Sequence, residues 1–126
     1  RVWGRYESQC STLRPTEMPI GVESGEGLLA IARIEAHYFM RRLYLEDGQL
    51  IRDLPRIAHL PATIVQGRYD MICPPANAEA LARAWPNADY VAVDDAGHSA
   101  MEPGVRAALV RATEAFKTRL RVAALG

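Results

Sequence analysis

The chain has 126 residues, and its 15 Lys plus Arg balance 15 Asp plus Glu to a formal net charge of zero, which argues against a nucleic-acid or membrane-surface protein. With 49% hydrophobic and 24% charged residues the composition is globular, neither disordered nor fibrous. Its longest apolar stretches are broken by Arg33, Glu35, Arg41 and Arg42, well short of the roughly 18 to 20 apolar residues a membrane-spanning helix requires.

The first stretch, Arg1 to Leu13, is a predicted helix that ends where Leu13-Arg14-Pro15 forces an extended conformation. No charged region followed by an apolar core marks a secretory signal there. Cys10 and Cys73 stand far apart, without the paired spacing of a zinc or redox site. Free thiols in a cytoplasmic protein are the expectation. Arg14 to Gly27, with two Pro and three Gly among polar residues, is a predicted loop. From Gly27 to about Leu45, Leu28, Ile31, Ala32, Ile34, Tyr38, Phe39 and Leu43 recur at helical spacing and predict a long amphipathic helix.

A polar turn at Glu46-Asp47-Gly48 and a mixed segment through Pro55 to His59 follow. The pattern then changes. Ala62-Thr63-Ile64-Val65-Gln66-Gly67 is a short β-branched run bounded by Pro61, as a buried parallel strand should be. Pro75 to Trp85 predicts a helix stopped by Pro86, and Ala88 to Val93 a second strand. After a loop from Asp94 to Ala100 comes a long helix, about Pro103 to Leu120, with Arg106, Arg111, Arg119 and Arg121 on or beside its solvated face. Strand, helix, strand, helix is the signature of an α/β fold with a parallel sheet. Two such strands need cover on both faces and a neighbour on at least one edge, so the chain is predicted to be the C-terminal part of a larger protein.

In an open α/β sheet the reactive loops lie beyond the carboxyl ends of the strands. The first runs from Gly67 through Asp70 to Cys73-Pro74, and the second from Asp94 through Gly97-His98 to Ala100. An Asp after one strand and a His after the next, 28 residues on, fit the last two members of a Ser-Asp-His triad in hydrolase order. A His removes a proton from a weak hydroxyl nucleophile only if a carboxylate holds its other ring nitrogen in the right tautomer. Taken singly, Asp70 reads as a turn cap before the next helix and His98 as a loop residue. Their placement at matching strand ends favours the pair. On a helical wheel Glu35 projects a carboxylate from the apolar face among Leu28, Ile31, Tyr38 and Phe39. A buried carboxylate needs a partner, which could be Arg33, Arg42 or a cationic ligand. Cys73 at a helix start reads as packing rather than as a reactive thiol, and His37 and His59 have no ligand spacing, so no metal is assigned.

Ile64-Val65-Gln66-Gly67-Arg68-Tyr69-Asp70, Cys73-Pro74, Ala84-Trp85-Pro86 and Ala96-Gly97-His98-Ser99-Ala100-Met101-Glu102-Pro103 together resemble the C-terminal half of the proline iminopeptidases, which are α/β-hydrolase serine exopeptidases. Ile31-Ala32-Arg33-Ile34-Glu35-Ala36-His37-Tyr38-Phe39 resembles a helix of that family's cap domain, and Trp3-Gly4-Arg5-Tyr6-Glu7 the W-x-x-W-E segment before it. The likeness covers almost the whole chain. It departs from the family at Tyr6, in place of the second Trp, and at Arg41-Arg42, where an Asn-x-Gly-Phe type of turn would stand.

The resemblance implies the last two parallel strands of an α/β-hydrolase core over residues 59–126, preceded by part of a helical cap over residues 1–58. It implies Asp70 and His98 as triad acid and base, Glu7 and Glu35 as carboxylates for the substrate's imino group, and peptides with N-terminal proline as substrates. No cofactor is implied. The nucleophile is not in the chain: no G-x-S-x-G occurs, and Ser99 follows the last strand beside the His. The serine and the oxyanion loop would come from the missing N-terminal half of the same fold. Another capped α/β-hydrolase, such as an esterase or epoxide hydrolase, shares the triad frame, and a non-catalytic remnant pairing through its sheet edge is the rival without chemistry.

Overall fold

The computed structural model describes residues 2–14 and 25–123. The loop predicted from Arg14 to Gly27 therefore lies mostly outside the described residues. Its elements are α1 (Val2–Cys10), α2 (Gly25–Phe39), a 3-10 turn (Arg42–Tyr44), α3 (Gln49–Asp53), a second 3-10 turn (Leu54–Arg56), β1 (Ala62–Gly67), α4 (Pro75–Ala84), β2 (Ala88–Val93) and α5 (Pro103–Ala123).

The two strands pair in parallel, with Ala62 opposite Ala88 and Gly67 opposite Val93. Both loops of interest therefore leave the sheet at the same edge. The register is pinned at the other end as well. Ala62 N–H donates to Asn87 O at 3.1 Å, Asn87 Nδ2 to Ala58 O at 3.0 Å and Trp85 Nε1 to Leu60 O at 3.0 Å. α4 and α5 both pack against the strands. Leu54, Ala96, Val105 and Ala108 are the buried apolar side chains among the described residues, so the described core is small. Strand residues that a complete parallel sheet would bury are only half-buried.

The helical region is looser. Gly4 of α1 lets Leu28 of α2 approach so closely that a Cβ there would stand 2.8 Å from Leu28 Cδ2. The helix predicted to run to Leu45 stops at Phe39, because Arg42, Leu43 and Tyr44 take φ values of 49°, 56° and 58°. This is the left-handed region that side chains with a Cβ disfavour, and it begins at the second of the two adjacent Arg. Tyr44 is held from three sides: its hydroxyl lies 2.7 Å from His37 Nε2, accepts from Arg41 NH1 at 3.2 Å, and its ring meets Tyr38 edge-on at 5.8 Å. α3 and the Leu54–Arg56 turn occupy the segment that carried no periodic signal. Among the described residues no helix is long and apolar enough to cross a membrane.

Candidate active site

β1 delivers Gln66 and Gly67 to the sheet edge, and the chain then turns sharply through Arg68-Tyr69 to Asp70. Nothing larger than hydrogen fits at residue 67. A Cβ there would lie 1.9 Å from Gly97 O and 2.7 Å from Ala96 O. That close approach lets Arg68 N–H reach Val93 O at 2.9 Å and Tyr69 N–H reach Ala96 O at 2.9 Å, locking the first loop onto the second. An exposed Arg68–Asp94 contact, Nε to Oδ1 at 2.7 Å, adds a rim tie.

Asp70 is buried and fully engaged. Its Oδ1 accepts the N–H groups of Ile72 at 2.9 Å and Cys73 at 2.7 Å. Its Oδ2 accepts Gln66 Nε2 at 3.0 Å and faces His98 Nδ1 at 3.0 Å. Burial pushes the Asp70 pKa up, and the hydrogen bonds from Cys73, His98, Ile72 and Gln66 more than offset it, holding the carboxyl below its ordinary value. An ionised carboxylate only accepts, so the proton in the 3.0 Å contact belongs to His98 Nδ1 and the lone pair to Nε2. The imidazole is 40% exposed, against 6% for the Asp70 side chain, so Nε2 is open to an incoming group. This is the geometry of a base held in one tautomer by a buried acid.

The two residues predicted from the strand ends are therefore brought together. The turn-cap reading of Asp70 holds as well as the contact: one oxygen caps the turn while the other faces the histidine. Cys73 gains no nucleophilic bias, since desolvation and the neighbouring Asp70 charge push its thiol up.

Glu7 and Glu35 lie on α1 and α2, the helix pair that meets at Gly4 and Leu28. Both are half-buried. Trp3 Nε1 donates to Glu35 Oε2 at 3.3 Å. Desolvation and the negative charge of Glu35 push the Glu7 pKa up, so the two carboxylates sense one another. Among the described residues neither has a salt bridge, to Arg33, Arg42 or any other cation.

Two residues at the site were not singled out from the sequence. Gln66 donates to Asp70 Oδ2 and also to Gly67 O at 3.3 Å and Cys73 O at 3.2 Å. A polar residue inside a β-branched strand run was the available signal, since it needs a partner when half-buried. Glu102 Oε1 accepts the N–H groups of Gly97 and Leu13, each at 3.0 Å. A Glu before the Pro that opens a helix carries no signal of contacts so distant in the chain. No group of three or more His, Cys, Asp or Glu that could hold a metal occurs among the described residues.

Comparison with known proteins agrees with the fold. A family model described as the alpha/beta hydrolase fold matches residues 10–105. A protein of Leptolyngbya boryana named "Probable proline iminopeptidase" is 52% identical over 88 residues, covering 69% of this chain and 27% of that protein. The proline iminopeptidases of Arabidopsis thaliana and Xanthomonas citri are each 44% identical, covering 93% and 92% of this chain and 31% and 38% of their own lengths. The chain thus spans about a third of the length of the curated relatives it matches. Among solved structures, an alpha/beta hydrolase enzyme from a lagoon-sediment metagenome superposes with a TM-score of 0.52 at 25% identity, covering 79% of this chain and 47% of that one.

Proposed function

The chain belongs to the α/β-hydrolase fold family, and from that premise we propose that it is the C-terminal portion of a serine exopeptidase that releases N-terminal proline from peptides. In this reading residues 1–58 are part of a helical cap and residues 59–126 the end of the core, with the nucleophile and oxyanion loop supplied by the rest of the same fold. The observation that carries it is the Asp70–His98 contact, which leaves Nε2 outward with its lone pair free.

Each step follows from a group's charge and position. Nε2 of His98 takes the proton of the serine hydroxyl as the oxygen bonds to the prolyl carbonyl carbon. The imidazolium formed is stabilised by Asp70, which stays ionised because hydrogen bonds already saturate it. The proton then passes to the leaving nitrogen as the C–N bond breaks. Water, deprotonated by the same Nε2, attacks the acyl-enzyme and releases proline and the serine.

Glu7 and Glu35 explain the demand for a free N-terminus. Two half-buried carboxylates without a salt bridge among the described residues, the Glu7 pKa raised by desolvation and then by the charge of Glu35, are eased by a protonated imino group set between them. The resemblance to enzymes named proline iminopeptidase supports this choice of substrate.

The test uses the full-length parent with a prolyl amide and an acetyl ester that has no amine. Glu35→Gln keeps the Trp3 acceptor and removes a charge. It should lower kcat/KM on the prolyl amide about tenfold to a hundredfold, the worth of a charge-assisted contact, with ester turnover unchanged. Unaltered prolyl-amide turnover would sink the amine-anchor assignment, and a parent that turns over only esters would make this an esterase.

A further inference from the structure

Outside the Asp70–His98 contact, the chain crosses itself at one more place beside the histidine. The segment Ser11–Arg14, which follows α1 directly, lies over the loop after β2. Ser99 N–H donates to Ser11 O at 2.7 Å. On the other side of His98, Gly97 N–H and Leu13 N–H converge on the same oxygen, Oε1 of Glu102, at 3.0 Å each. A Cβ on Gly97 would stand 3.1 Å from both Leu13 N and Glu102 Oε1, so the crossing is tight. Both neighbours of the base are therefore fastened to one segment.

Glu7 lies one helical turn before that segment, on α1. Ser11 returns its N–H to Glu7 O at 3.0 Å and its hydroxyl to the same oxygen at 2.8 Å. An unbroken run of short hydrogen bonds thus leads from Glu7 through Ser11 to Ser99, and Glu102 fastens the same segment to Gly97. Open clefts of about 310 Å³ and 320 Å³ flank it, and Thr12, Glu102 and Pro103 line both. Hydrogen bonds to one carboxylate oxygen, stronger than those to a neutral acceptor, must supply much of the hold.

We propose that Glu102 is a positioning residue that sets the spacing between the amine-binding carboxylates and His98, and thereby fixes the product at one released residue. The functional half of this rests on the exopeptidase reading; the clasp itself does not. An exopeptidase measures its product by the gap between the amine anchor and the base, and one residue is only about 3.8 Å of chain. An anchor free to drift by that distance relative to His98 would no longer distinguish one residue from two. Glu102 acts on no reacting atom. It holds the anchor's segment and the base's loop in one frame.

Glu102→Ala and Glu102→Gln test this at two levels. In the full-length parent, amide hydrogen exchange should show Leu13 and Gly97 deprotected together in Glu102→Ala and retained in Glu102→Gln, whose side-chain oxygen still accepts both. Ile72 and Cys73, bound to Asp70, should be unaffected. Deprotection of only one of the pair, or of neither, overturns the clasp. In the full-length parent, Glu102→Ala should lower kcat/KM on a prolyl amide about a hundredfold, the cost of roughly 1 Å of misplacement. The loss should appear largely as raised KM, with release of some dipeptide. Turnover of an amine-free acetyl ester should fall by less than about threefold, because only anchored substrates depend on the spacing, and Glu102→Gln should restore most of the prolyl-amide rate. Equal losses on both substrates would mean that Glu102 merely supports His98 and would overturn the spacing role while the exopeptidase reading stands. A wild-type parent inactive on prolyl amides but active on esters would overturn that reading, and the spacing role with it, whatever the exchange data show.

Discussion

Asp70 meets four donors within 3.0 Å, and the loops around it interlock backbone to backbone. On α2, by contrast, Ile31, Ile34 and Phe39 stand 51%, 58% and 62% exposed on a helix whose apolar residues recur at burial spacing. The Asp70 carboxylate is met by partners at most 28 residues away, brought together by the two paired strands. The helices instead present an apolar stripe that nothing among the described residues covers, as expected when the elements that bury it lie elsewhere in the fold. An Asp–His pair can thus be complete within a third of a relative's length, while the apolar stripe of the helical region stays uncovered by the described residues.

Glycine marks the same contrast. The strand-end region has one where a Cβ would meet backbone oxygen at 1.9 Å, whereas the helical region has Arg42, Leu43 and Tyr44 where the backbone favours glycine. Breaking the first should have the largest effect. Gly67→Ala forces the Asp70 and His98 loops apart, and overpacking against unyielding backbone should cost about 3 kcal/mol or more. Urea denaturation should record the loss, and the His98 Nδ1 proton resonance should disappear from the NMR spectrum. A variant with wild-type stability and an intact resonance would show that the two loops are not locked together at residue 67.

The sequence disclosed the strand-end region far better than the helical one, for the same physical reason. Pro61, the β-branched run to Val65 and Gly67 delimit β1, and the observed strand runs from Ala62 to Gly67. Asp70 and His98 were legible because chemistry in this fold class gathers at strand ends. Helix periodicity located α2 but overran its end by six residues, because Leu43 keeps the apolar spacing while its backbone leaves the helical region. α3 and the turn at Leu54–Arg56 were missed because elements of 5 and 3 residues are too short to show a period. Glu102 was invisible as a clasp because its contact with Leu13 spans 89 residues of sequence. Only the fold creates it.

Relieving strain in the helical region should be the next largest change, with the opposite sign. At φ 56° Leu43 bears a steric cost that glycine avoids, and its side chain is half exposed. Leu43→Gly should therefore stabilise the chain by about 0.5–1 kcal/mol, the left-handed penalty less the entropy lost by ordering a glycine. A thermal melt should move up by a few degrees. A lower melting temperature would mean that the Leu43 side chain contributes more than its backbone costs, and the contrast in glycine placement would lose its energetic meaning.

The smallest effect is a difference in how the two regions respond to acid. Asp70 is held below its ordinary pKa, so it binds fewer protons folded than unfolded. Its contribution is complete above the ordinary aspartate value and is lost as pH falls through the depressed one. Glu7 is pushed up by desolvation and by Glu35, so the folded state takes its proton more readily. The penalty of the charged form is present above that raised value and is relieved as pH falls through it. Acidification should therefore first tighten the α1–α2 pair, just above the ordinary glutamate range, and only at lower pH loosen the strand-end loops. Exchange at Trp3 Nε1 and at the Cys73 amide would follow the two regions separately. High salt should weaken only the part of the Glu7 shift that comes from the Glu35 charge, since desolvation is not screened, and leave the Asp70 part in place. If both probes open at the same pH, the regions are one cooperative unit, and the helical half owes its stability to the loops rather than to contacts of its own.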